Sequence, residues 1–216
     1  MTKKNTRGEY FFFICLIGIA ISALLIALLL SIFLDVPFGN FTRDPSSIHP
    51  NSKFYYGFIS NIGVLFWSFA SSICYYSYSI IKNEVVHTKI KSFFLWAGTI
   101  SLVLLFDDLF LMHEKFFPKV LFLNEKIVFA LYGVLALIFL IKHQKLILEN
   151  TRYIYLVIAL LAFGLSLVFD FMPRFSDKWH HIFEDGPKFI GIVFWFGYHA
   201  LTSRLLLIAH FSSLKK

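Results

Sequence analysis

Residues 10–34 read YFFFICLIGIAISALLIALLLSIFL, with no charged side chain anywhere in the run. A helix in a soluble domain keeps a polar face for water, whereas this one would be apolar all round. Its natural surroundings are lipid, and roughly 20 such residues suffice to cross a bilayer. Working outward, comparable stretches recur at about 54–81, 92–112, 124–141, 153–172 and 187–210. The pattern predicts an all-α polytopic membrane protein, a bundle of about six transmembrane helices forming one domain over 1–216. Composition agrees. The chain of 216 residues is 58% hydrophobic and 15% charged, against about 25% charged in an ordinary soluble domain.

Lys3, Lys4 and Arg7 precede the first span, as they would in a signal peptide. The apolar run exceeds the roughly 7–15 residues of a signal-peptide core, so a retained helix is expected. The net charge of +7 comes from Lys and Arg scattered among the loops. That distribution suits lipid headgroups and excludes a nucleic-acid surface. Cys15 and Cys74 both fall within spans, which leaves no disulfide or zinc-cysteine motif.

Local signals punctuate the spans. Asn124 is placed to cap the fourth helix, and Pro173 to stop the fifth. Asp185-Gly186-Pro187 should open the sixth, with proline at its first position. Residues 176–184 suit a short interfacial helix carrying Trp179 and Phe183 at headgroup level. In span two, Gly57, Asn61, Ser68, Ser72 and Tyr75 fall near one face and predict a helix-packing stripe. Basic residues at the N-terminus, after spans two and four and in the tail (Lys3, Lys4, Arg7, Lys82, Lys89, Lys91, Lys142, Lys145, Arg152, Lys215, Lys216) modestly outnumber those opposite. The positive-inside rule then puts both termini in the cytoplasm, and a bacterial inner membrane is the expected location.

Parity organises the chemistry. Spans one, three and five end on the same side, and their ends and following loops carry ten of the thirteen acids, together with His49, His113, His180 and His181. Two clusters dominate. Residues 107–114 read DDLFLMHE and residues 180–185 read HHIFED. Carboxylates inside a span are costly, and a helix C-terminus disfavours anions further. Asp107, Asp108 and Asp170 therefore call for something positive nearby. His181 precedes Glu184 by three residues and Asp185 by four, so a helix places all three on one face. Asp107 and Glu114 would lie about 10 Å apart along a straight helix. Two levels follow: a deep one at Asp107, Asp108 and Asp170, and a shallow one at His113, Glu114, His181, Glu184 and Asp185.

These residues suit a divalent metal, zinc or another ion, with His113, His181 and Glu184 as ligands. Asp107 or Asp108 would be the catalytic base or a deep ligand. Glu114, Asp170, His180 and Asp185 are outer or alternative ligands. The two clusters should then converge on one site. Simple pairing of the acids with Arg174, Lys115, Lys178 and Lys188 is the competing reading. His87 and His143 are expected in solvated loops and His210 at the interface. His199 lies in mid-span with no matching histidine at its depth to ligate haem. No phosphate-cradling glycine loop or nucleophile elbow is present.

The strings at 107–114 and 184–192 (EDGPKFIGI) resemble those of uncharacterised bacterial multi-pass membrane proteins, a likeness that covers the second half and implies no activity. The general plan is also similar to the intramembrane metal hydrolases related to alkaline ceramidases, which use His, Asp and Ser in a seven-helix bundle. This chain departs from them in having six spans and no pair of histidines four residues apart in its last span. No residue role carries over. The expected function is a metal-dependent hydrolase acting on a lipid or other amphiphile. The alternatives are proton- or cation-coupled transport through Asp107, Asp108, Asp170 and His199, and a scaffold subunit without catalysis.

Overall fold

The computed structural model describes residues 6–43, 53–81, 88–173 and 180–213. All regular structure among them is helical. The elements are α1 (Thr6–Phe33), α2 (Gly39–Thr42), α3 (Phe58–Ile80), α4 (Thr88–Phe110), a π turn (Met112–Phe116), α5 (Phe117–Val120), α6 (Glu125–Asn150), α7 (Tyr153–Phe171) and α8 (His180–Ser213). Six of these helices are long and apolar enough to cross a membrane: α1, α3, α4, α6, α7 and α8. The expected all-α architecture of six spans is what the structure has.

Their outer faces support a lipid environment. Leu25, Ile26 and Leu29 on α1, and Leu131, Val134, Ile138 and Ile141 on α6, are all exposed. Leaving each in water would cost roughly 1.5–3 kcal/mol.

The chain divides into two compact units. One comprises Met1–Gly63 and Val157–Gly197, the other Val64–Leu156 and Tyr198–Lys216. In the first unit, glycines admit close neighbours. A Cβ on Gly191 would meet the Phe163 ring at 2.6 Å, and one on Gly197 would collide with Leu16. The second unit is built on Phe93, Phe94, Phe139 and Tyr198, all essentially without exposed surface. Two pairs of its buried hydroxyls are bonded to each other, Ser77 to Ser203 at 2.6 Å and Thr151 to Tyr198 at 3.2 Å.

Several sequence expectations need correction. The packing face of α3 is Ile59, Gly63, Trp67, Ala70, Ser71, Cys74 and Ser77. Of the expected stripe only Gly57 is buried, whereas Asn61 and Ser72 are exposed. In lipid the face is set by packing and hydrogen bonding rather than by polarity, and here it joins the small Gly63, Ala70, Ser71 and Ser77 to the larger Ile59 and Trp67. Ala70→Leu is therefore expected to overpack the second unit and lower stability by about 1–3 kcal/mol, while Ser72→Leu changes it by under about 0.5 kcal/mol. Thermal unfolding in detergent distinguishes them, and equal effects would contradict the assigned face.

Helix α6 runs past the expected 141 to Asn150. His143 is consequently a buried helical residue with the rings of Phe93 at 5.6 Å and Phe139 at 5.5 Å, not a solvated loop residue. His210, near the end of α8, is likewise buried within the protein. Asn124 caps α6 as expected, its side-chain oxygen accepting from Lys126 N at 2.9 Å. Helix α8 starts at His180, so Pro187 lies inside it instead of at its first turn. Proline removes one donor and can kink a helix without ending it. His49, His87, Asp44, Arg174, Asp177, Lys178, Trp179 and the start of the expected interfacial helix lie outside the described residues.

Candidate metal centre

The first two turns of α8 carry His180, His181, Glu184 and Asp185. Helical spacing brings His181 Nδ1 to 3.5 Å from Glu184 Oε2 and to 3.5 Å from Asp185 Oδ2. One ligand atom from each of these residues lies within 4.8 Å of the other two. Ordinary N–H···O hydrogen bonds span 2.7–3.2 Å, and His181 Nδ1 is a buried atom with no hydrogen-bond partner. Ligand bonds of about 2.0–2.1 Å in a tetrahedron put adjacent donor atoms about 3.4 Å apart. The spacing is compatible with an ion between the three groups as well as with direct pairing of His181 with the two carboxylates. Two carboxylates would also neutralise a divalent cation, which matters where water is scarce.

Around this group, His180 is buried and its Nε2 lies 3.6 Å from Glu184 Oε2. Thr42 of α2 donates a short hydrogen bond to Asp185 Oδ2. Gly39, also on α2, lies against the His181 ring. Neither α2 residue was visible as a site residue in the sequence, because 143 positions separate Thr42 from Asp185 and no local motif links them. Asp170 is half-buried in the last turn of α7, outside the three-residue group.

The cluster at 107–114 belongs to the other compact unit and has its own logic. The chain does not continue straight beyond α4. Leu111 takes a left-handed conformation at φ 50°, and a π turn follows. This folds His113 back onto Asp107. His113 Nδ1 lies 2.6 Å from Asp107 Oδ2, and its backbone N–H donates to Oδ1 at 3.0 Å. Tyr132 on α6 donates to the same Oδ1 at 2.8 Å. Trp67 on α3 donates to Asp108 Oδ2 at 2.7 Å. Glu114 and Glu125 each approach His113 Nε2 at 3.8 Å. The 10 Å separation assumed for a straight helix therefore does not govern this segment. The deep carboxylates meet a local imidazole, a phenol and an indole. Polar partners of this kind offset the cost of an acid in a span.

Six spanning-length helices and a half-buried His/carboxylate group define the class, a polytopic α-helical membrane protein with a polar centre near a helix start. The chain belongs to the family described as a domain of unknown function, DUF8692, whose model matches residues 16–202. Comparison with curated proteins and with solved structures finds no match.

Proposed function

We propose that this protein is a membrane-embedded, divalent-metal-dependent hydrolase of a lipid or other amphiphile, with His181, Glu184 and Asp185 as its metal ligands. The observation that supports this reading is the 3.5 Å spacing of His181 Nδ1 from both carboxylates, with no hydrogen bond to that nitrogen. His181 and Glu184 keep the roles expected from sequence. Asp185 takes the third place, and His113 is assigned with Asp107 to the separate polar cluster. One imidazole with two carboxylates suits zinc, manganese or iron. A bound divalent ion would acidify a water and polarise a substrate carbonyl or phosphoryl oxygen. The chain's own part is to hold three donors near one helix start, with Thr42 and Gly39 of α2 against them. The bias of basic residues supports cytoplasmic termini in a bacterial inner membrane, with the centre towards the opposite side.

The test is release of fatty acid or headgroup from mixed micelles of phospholipids, acyl amides and acyl esters, using the full-length protein. Product release should fall at least about tenfold on chelation and return with added zinc or manganese. A protein that carries no metal and releases nothing chelator-sensitive from any of these would defeat the reading.

A further inference from the structure

We propose that Gly39 and Thr42 are positioning residues of the metal centre, so that α2, far away in sequence, decides how tightly the ion is held. The inference rests on the metal reading above and adds the residues that orient its ligands.

Thr42 is buried, and its hydroxyl donates to Asp185 Oδ2. That same oxygen faces His181 Nδ1. A carboxylate oxygen has two lone pairs. Thr42 occupies one and turns the other towards the imidazole. Outer partners of this kind fix ligand orientation, and their loss typically weakens metal binding about 10–100-fold. The hydroxyl also lies 3.5 Å from Gly39 O, a long contact beside the short bond to Asp185.

Gly39 acts by absence. A Cβ there would come within 2.7 Å of His181 Cδ2 and 3.1 Å of Cγ. The imidazole occupies the space a side chain would fill, so the backbone of α2 forms one wall for the ring. The turn that carries both residues is itself held. Phe41 is fully buried and stacks on Tyr55 at 5.6 Å and 16°. Gly57 N–H donates to Asn40 O at 2.8 Å. Two ligands, His181 and Asp185, are thus set by one anchored turn.

The experiment uses full-length protein in detergent, stripped with a chelator and titrated with Zn²⁺ and separately with Mn²⁺. Thr42→Val removes the hydroxyl at nearly constant volume, and Thr42→Ser keeps it. Binding should weaken about 10–100-fold in Thr42→Val and in Gly39→Ala, and stay within about threefold of wild type in Thr42→Ser. The melting temperature of metal-free Thr42→Val should match that of the metal-free wild type, which a purely structural role would not allow. Wild-type affinity in Thr42→Val, with binding lost in His181→Ala, would overturn this inference and leave the metal centre standing. Absence of binding in the wild type would overturn both. If Thr42→Val does not fold, Gly39→Ala decides on the same titration, and unchanged affinity there counts against the proposal.

Discussion

Replacing His181 by alanine is expected to abolish divalent-metal binding, with affinity falling at least about 100-fold. The proposed centre has a single nitrogen donor among its three candidate ligands. Without it, Glu184 and Asp185 remain as two anions one residue apart, and a metal would have to be completed by water. An imidazole bound to a metal is neutral, so its loss would remove no negative charge from the site. A drop of this size would therefore identify a direct ligand bond and not a general loss of negative potential. Glu184→Gln is the complementary change. It keeps shape and removes a charge, and should weaken binding while preserving the fold. Elemental analysis of the purified proteins, followed by zinc and manganese titration, measures both effects. Equal metal content in wild type and His181→Ala would sink the assignment.

The largest stability effect is expected at Asp107. Its carboxylate accepts from His113 N and Tyr132 OH and is paired with His113 Nδ1. Asp107→Ala removes all three contacts at once and takes the nearest carboxylate from a buried imidazole. Removing one partner of a buried pair costs about 3–5 kcal/mol. Polar contacts inside membranes average only about 0.6 kcal/mol each. The lower figure applies where each lost contact finds a replacement, the higher where one group holds several buried partners together. With His113 buried, the higher should govern, and a loss near 3 kcal/mol is expected. Asp108→Asn, whose Oδ1 can still accept from Trp67, should cost under about 1 kcal/mol. Unfolding in mixed detergent compares them. Similar losses for both would show that the π turn is held by something other than the Asp107–His113 pair. Asp107→Ala should leave zinc affinity unchanged if His181, Glu184 and Asp185 are the ligands.

Burial explains why some sequence expectations met the structure and others did not. The run at 10–34 needs no tertiary information, because a helix apolar on every side is stable only in lipid. The other five spans follow from their length and high mean hydropathy, although α3 and α8 also carry polar side chains. The spacing of His181, Glu184 and Asp185 was equally legible, since three- and four-residue steps share a helix face in any helix. Asn124 as a cap depends only on its immediate neighbours. Expectations failed where a second element decides. The packing face of α3 could not be read from small residues alone, because in a membrane both faces are apolar and the hydrophobic pattern carries no direction. His143 looked like a loop residue because Lys142 and Lys145 flank it, yet α6 continues and Phe93 of α4 covers its ring.

The sequence by itself thus determined the class of protein, the six spans and the local face that carries His181, Glu184 and Asp185. Tertiary structure alone decided that Leu111 and the π turn fold His113 onto Asp107, that Tyr132 and Trp67 meet the two deep aspartates, and that Gly39 and Thr42 stand against the metal-capable group. The physical reason is range. Helix formation and bilayer insertion depend on residues within a few turns of one another. The partner of a buried carboxylate is chosen by whichever donor the fold carries to it, across 25 residues for Tyr132 and 143 for Thr42.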